Sequence, residues 1–166
     1  MSSIIHANQL HELVICPKRI IKPPKYYKIE RNNANKRFKL ISEDEKFIFS
    51  CFIRYLVKRP LDFSIGLMFE DLMLLRVNGF HGATRTGEYV FEHHRYPHIH
   101  LLSEDDIKES RNGSPSSINC EVSYTDLSSA LVFFCQSCSI INPEAICHAD
   151  DAVSQISYLK EKGGTL

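Results

Sequence analysis

The chain has 166 residues, 43% hydrophobic and 24% charged, with no net formal charge at pH 7. That balance suits one globular domain over residues 1–166 and excludes collagen-like, disordered and membrane-spanning classes, since no apolar run approaches the roughly 20 residues a bilayer requires. The neutral total hides a split. Residues 1–60 hold 13 Lys and Arg against 5 Asp and Glu, and residues 61–166 hold 7 against 15. This fits either a basic face for phosphates or two halves that attract each other.

In chain order, Asn8 is placed to cap a short amphipathic helix with Leu10, Leu13 and Val14 on one stripe, which Pro17 ends. Pro23-Pro24 forces an extended connector before Lys25-Tyr26-Tyr27. Arg37-Phe38-Lys39-Leu40 alternates, and residues 47–53 are rich in aromatic and β-branched types, so both read as strands joined by a turn at 42–45. Ser42-x-x-Glu45 also fits a capping box that would open a helix through Val57, but side-chain type favours strands. Apolar runs at 63–69 and 72–77 follow, split by Glu70-Asp71, and Asn78-Gly79 is a turn signal.

After a polar loop, Tyr96 to Leu102 reads as another strand, and Ser103 opens a short helix or turn. Residues 112–117 form a loop, Thr125 or Asp126 caps a helix burying Leu127, Ala130, Leu131, Phe134, Cys135 and Cys138, and a last helix runs from about Asp150 to Lys160. The expected fold is α+β: an antiparallel meander of about five strands with an N-terminal helix and C-terminal helices packed on it.

The six cysteines, Cys16, Cys51, Cys120, Cys135, Cys138 and Cys147, are irregularly spaced in largely apolar stretches, as buried thiols are. With no basic start followed by an apolar signal core, a cytoplasmic location is expected. Cys135-x-x-Cys138 with Cys147-His148 has the ligand types of a zinc site, but its first pair lies inside an apolar helix, so buried thiols are the stronger reading.

Chemistry concentrates between residues 74 and 100, where five of the eight histidines fall: His81, His93, His94, His98 and His100. Alternation along strands puts Arg76 and Asn78 on one side of theirs and His98 and His100 on one side of the next, so pairing those faces brings Arg76 to both imidazoles. His81, His93 and His94 lie in the connecting loop. An arginine among histidines suits metal-free phosphodiester cleavage, one imidazole taking the 2′-hydroxyl proton, another protonating the leaving oxygen and Arg76 holding the phosphorane charge. Its substrate would be RNA, which carries the internal nucleophile. The competing reading is a metal site built on His-x-His, with His81, His93 or His94 completing the shell, but no spacing matches a zinc signature, and no metal or other cofactor is expected. The basic segment Lys18 to Lys39, interleaved with Tyr26, Tyr27 and Phe38, fits either a holder of single-stranded RNA or a solvated connector anchored by its aromatics, and Lys18, Arg19, Lys22, Lys25 and Lys28 are its candidate RNA-binding residues.

The stretch Arg76-Val77-Asn78-Gly79-Phe80-His81 followed by Pro97-His98-Ile99-His100 resembles the Arg-x-Asp-x-x-x-His and Pro-His-x-His pattern of TumE-type toxins from bacterial toxin–antitoxin pairs, and a small bacterial and phage family of the same layout. The resemblance covers Leu72 to Leu102. It implies a cytoplasmic α+β toxin or phage-conflict protein, with Arg76, His81, His98 and His100 as matched catalytic positions and a cognate antitoxin as partner. Asn78 stands where Asp is usual, Phe80 where Pro is common, and the loop to Pro97 is long. The expected function is a toxin-like endoribonuclease; the alternative is a non-catalytic phage-encoded inhibitor that binds a host protein complex. No membrane partner is expected.

Overall fold

The computed structural model describes residues 7–83, 86–111 and 114–146. It is α+β, with an N-terminal helix, a large antiparallel sheet and C-terminal helical segments, and α1 and α3 share one core with one face of the sheet. Helix α1 (Ala7–Ile15) buries the expected stripe of Leu10, Leu13 and Val14. It begins one residue before Asn8, which therefore sits inside the helix. Strands β1 (Lys18–Ile21), β2 (Lys28–Glu30), β3 (Asn33–Ser42), β4 (Ile48–Leu56), β5 (Arg59–Phe69), β6 (Leu72–Asn78), β7 (His98–Leu101) and β8 (Ser117–Asn119) form the sheet, in the order β1-β3-β4-β5-β6-β7-β8. Strand β2 shares the outer edge of β3 with β1. The helices α2 (Glu104–Lys108) and α3 (Leu127–Ser137) follow β7 and β8.

Eight strands stand where about five were expected. The extra ones include β1, β2 and β8, runs of three or four residues too short to show a period of two. The alternative helix after Ser42 does not form. Instead the Ser42 hydroxyl bonds Asp44 and the Phe47 amide, tightening a turn into β4. Asn78-Gly79 is not a hairpin turn either: the Gly79 amide donates to the Phe63 carbonyl and Phe80 to Leu61, so the chain runs on beside β5. A Cβ on Gly79 would strike the Leu61 carbonyl oxygen and the Phe63 ring, which is why glycine sits there. Asp126 and Ser129 cap α3 reciprocally. The expected helix from Asp150 to Lys160, Cys147 and His148 lie outside the described residues.

Along β3 and β4 burial alternates strictly. One sheet face carries Phe38, Leu40, Phe49, Cys51, Ile53 and Tyr55, all buried in the hydrophobic core with residues of α1 and α3. The other face, read from the pairing register, carries Asn35, Arg37 and Lys39 of β3, Ser50, Phe52 and Arg54 of β4, Ser64 and Gly66 of β5, Arg76 and Asn78 of β6, and His98 and His100 of β7. Among the described residues no helix is long and apolar enough to cross a membrane.

Candidate functional site: a histidine cluster at one end of a basic sheet face

Two rungs of the sheet build the site. Arg76 of β6 stands opposite His100 of β7, and Asn78 opposite His98. A 3₁₀ turn, Glu92–Arg95, brings His93 and His94 over these rungs, and His81 reaches in from the segment after β6. All five imidazoles are in contact. Ring centroids lie 4.0 Å apart for His81 and His94, 5.0 Å for His81 and His98, 5.0 Å for His93 and His98, and 5.1 Å for His98 and His100. Gly82, at φ +72°, lets His94 lie against the backbone, where an added Cβ would sit 2.5 Å from its Nδ1.

The hydrogen bonds fix the tautomers. His98 Nδ1 lies 2.7 Å from the Tyr96 carbonyl and His100 Nδ1 2.9 Å from the Pro115 carbonyl. A carbonyl only accepts, so both Nδ1 atoms carry the proton and both Nε2 atoms are bare in the neutral rings. Ser64 donates to Asn78 Oδ1 at 2.6 Å, which turns the Asn78 amide to donate to His98 Nε2 at 3.3 Å. His81 Nε2 sits 3.1 Å from the same nitrogen. The Tyr124 hydroxyl lies 2.8 Å from the carbonyls of both Asn78 and His98, sharing one proton between them and pinning this rung from behind.

The electrostatics favour the neutral rings of His81, His94, His98 and His100. Burial, then neighbouring imidazoles, holds His81 down to about 3. Burial likewise lowers His98 to about 4, against the Tyr96 hydrogen bond, which pulls the other way. His94 and His100 are lowered too, chiefly by burial. Burial and then the Arg54 charge make the Arg76 cation less favourable. Arg76 Nη2 reaches the Ser64 hydroxyl at 3.4 Å, while Arg76 Nε and His94 Nδ1 are buried and without hydrogen-bond partners among the described residues.

The fold therefore brings together Arg76, His81, His98 and His100, the expected catalytic set. It adds His93 and His94, whose adjacency in sequence gave no sign of which would face the strand. Accessibility differs within the set: His98 has no exposed surface, whereas Arg76, His81, His93, His94 and His100 are partly exposed.

The expected RNA-binding residues are not brought to this site. Lys18 is fully buried, its Nζ donating to the carbonyls of Val14 at 2.7 Å, Cys16 at 2.8 Å and Cys138 at 3.2 Å and lying 4.8 Å from the centre of the Phe49 ring. It ties α1 to α3 and cannot reach a phosphate. Arg19, Lys22, Lys25 and Lys28 are exposed, but β1 and β2 lie at the far side of the sheet. Five strand spacings separate β1 from β7, roughly 24 Å. Lys28 is already paired with Glu30 at 2.6 Å.

Between that edge and the histidines lies a basic, aromatic stretch in which Arg37 and Lys39 belong to the expected Lys18 to Lys39 segment, whose Phe38 is buried and cannot stack, while Phe52 and Arg54 lie outside it. Arg37 and Lys39 are exposed, and Phe52 and Arg54 partly so. A Cβ on Gly66 would collide with the Phe52 ring, so the ring lies across Gly66 on the rung that continues to Arg76 and His100. The alternation Arg37-Phe38-Lys39-Leu40 was the available signal, since it already put both cations on one face.

No protein-family model, curated protein or solved structure matches this chain. The site carries the functional argument by its own geometry.

Proposed function

We propose that this chain is a toxin-like endoribonuclease that cleaves RNA through attack of the substrate's own 2′-hydroxyl. The observation that carries this reading is the Arg76–His100 rung at the end of a sheet face that also bears Arg37, Lys39, Phe52 and Arg54. That face offers what a single-stranded substrate needs: cations for its phosphates and an aromatic ring on which a base can stack. At its end the partly exposed Arg76 guanidinium meets the scissile phosphate and holds the charge that grows on the phosphorane. The neutral imidazoles supply the acceptor for the 2′-hydroxyl proton, which passes through the cluster to the leaving 5′-oxygen. His98, with no exposed surface, acts through His81, its nitrogen neighbour at 3.1 Å, as a positioning residue. The products are a 2′,3′-cyclic phosphate and a 5′-hydroxyl.

Incubating the full chain with an RNA pool, mapping the cuts, and repeating with 2′-deoxy nucleotides at the mapped positions tests the reading. Cleavage should vanish at deoxy positions and fall roughly 100- to 10,000-fold in His100→Ala. Cutting of the deoxy substrate, or growth on induction that does not differ between wild type and His100→Ala at matched soluble levels, would overturn it.

A further inference from the structure

The histidine cluster has a feature that acid–base chemistry does not require. His93, His98 and His100 each present a ring nitrogen within 4.8 Å of the others'. Two of these rings are oriented from behind, His98 by the Tyr96 carbonyl and His100 by the Pro115 carbonyl. A backbone carbonyl on Nδ1–H, leaving Nε2 bare, is the outer-shell arrangement of metal-bound histidine.

The bare nitrogen of His98 is also over-subscribed. His98 Nε2 has one lone pair, yet the Asn78 amide at 3.3 Å and His81 Nε2 at 3.1 Å both converge on it. His94 Nδ1, buried and unpartnered, lies against the same rings.

From this convergence we infer that His93, His98 and His100 bind one divalent transition-metal ion of the zinc class. The ligand chemistry selects the ion. Among the described residues the cluster holds imidazoles and no carboxylate, a donor set suited to zinc, nickel or copper and unsuited to magnesium or calcium. Three protein ligands with a place left for water or substrate is the pattern of catalytic zinc rather than of closed structural sites. The sequence left the third ligand open among His81, His93 and His94, and the 3₁₀ turn Glu92–Arg95 selects His93. The inference goes beyond RNA cleavage and stands without it. Should both hold, a hydroxide on the ion, left when bound water gives up a proton to solvent, would replace an imidazole as the acceptor of the 2′-hydroxyl proton, and Arg76 would keep its role.

The test uses the full chain purified without a histidine tag, stripped with chelator, then titrated with zinc chloride by calorimetry. One zinc per chain is expected. His93→Ala and His100→Ala, at partly exposed positions, should each weaken binding by more than the roughly 10- to 100-fold typical of losing an outer-shell partner. Cobalt in place of zinc should give the visible bands of nitrogen ligation without a thiolate charge-transfer band. No zinc binding by wild type, affinity unchanged in both histidine variants, or binding lost only in Cys135→Ser or Cys138→Ser would overturn the inference. No RNA enters these measurements, so their failure bears on the ion, and failure of the deoxy-substrate test bears on RNA cleavage.

Discussion

Arg76 and Lys18 are both basic residues on strands, and their fates differ because of which face each strand position meets. Lys18 occupies an inward position of β1 and is fully buried against three carbonyls, while its neighbour Arg19 is exposed. Residue type in a basic run could not separate them; only the register against β3 does. Arg76 was legible, because alternation places it with Asn78 and opposite the His-x-His pair, and the pairing Arg76↔His100 is as expected. Its Nη2 already leans on Ser64, and its buried Nε has no partner among the described residues, so the fork is held in place with a donor unspent. Arg76→Lys keeps the charge but offers a point donor in place of that planar fork. It should lower RNA cleavage by about 100-fold or more, in the range of losing a donor to a developing anion, while the unfolding midpoint stays near wild type. Full cleavage by Arg76→Lys would reduce Arg76 to a structural role beside Ser64.

At the level of elements, β3 to β7 were readable because each is long enough, or chemically distinct enough, to show which side is wet. The Asn78-Gly79 signal misled because glycine serves there for close approach to β5 rather than for a reversal, a distinction that depends on atoms 15 or more residues earlier in the chain. The two glycines of the β5–β6 region therefore make a graded test. A Cβ at Gly79 meets backbone, the Leu61 carbonyl, which cannot move without breaking the Phe80–Leu61 hydrogen bond. A Cβ at Gly66 meets the outer atoms of the Phe52 ring, which can swing toward solvent. Gly79→Ala should thus cost roughly 1–3 kcal/mol in urea unfolding, the usual range for overpacking, and Gly66→Ala clearly less. Equal losses would mean the Phe52 ring is locked by more than its seat on Gly66.

For the whole molecule, the charge split between residues 1–60 and 61–166 becomes an asymmetry across one sheet face, since β3 and β4 supply Arg37, Lys39 and Arg54 while the later strands supply the histidines. If this face is the RNA track, affinity must carry the signature of counterion release, with log K falling by about 0.7 per neutralised phosphate for each unit of log salt. Changing Arg37, Lys39 and Arg54 together to Ala should flatten that slope by roughly 2, whereas changing Lys22, Lys25 and Lys28 at the far edge should leave it nearly intact. Phe52→Ala belongs to a different physical term, because stacking displaces no counterions: it should weaken binding by about 1–3 kcal/mol per stacked base without altering the slope. Fluorescence anisotropy of a labelled single-stranded RNA over a salt series, on a cleavage-deficient His100→Ala background, separates the two terms. A slope that flattens with the Lys22, Lys25 and Lys28 changes and not with those on β3 and β4 would move the nucleic-acid surface to the β1–β2 edge and detach it from the histidine site.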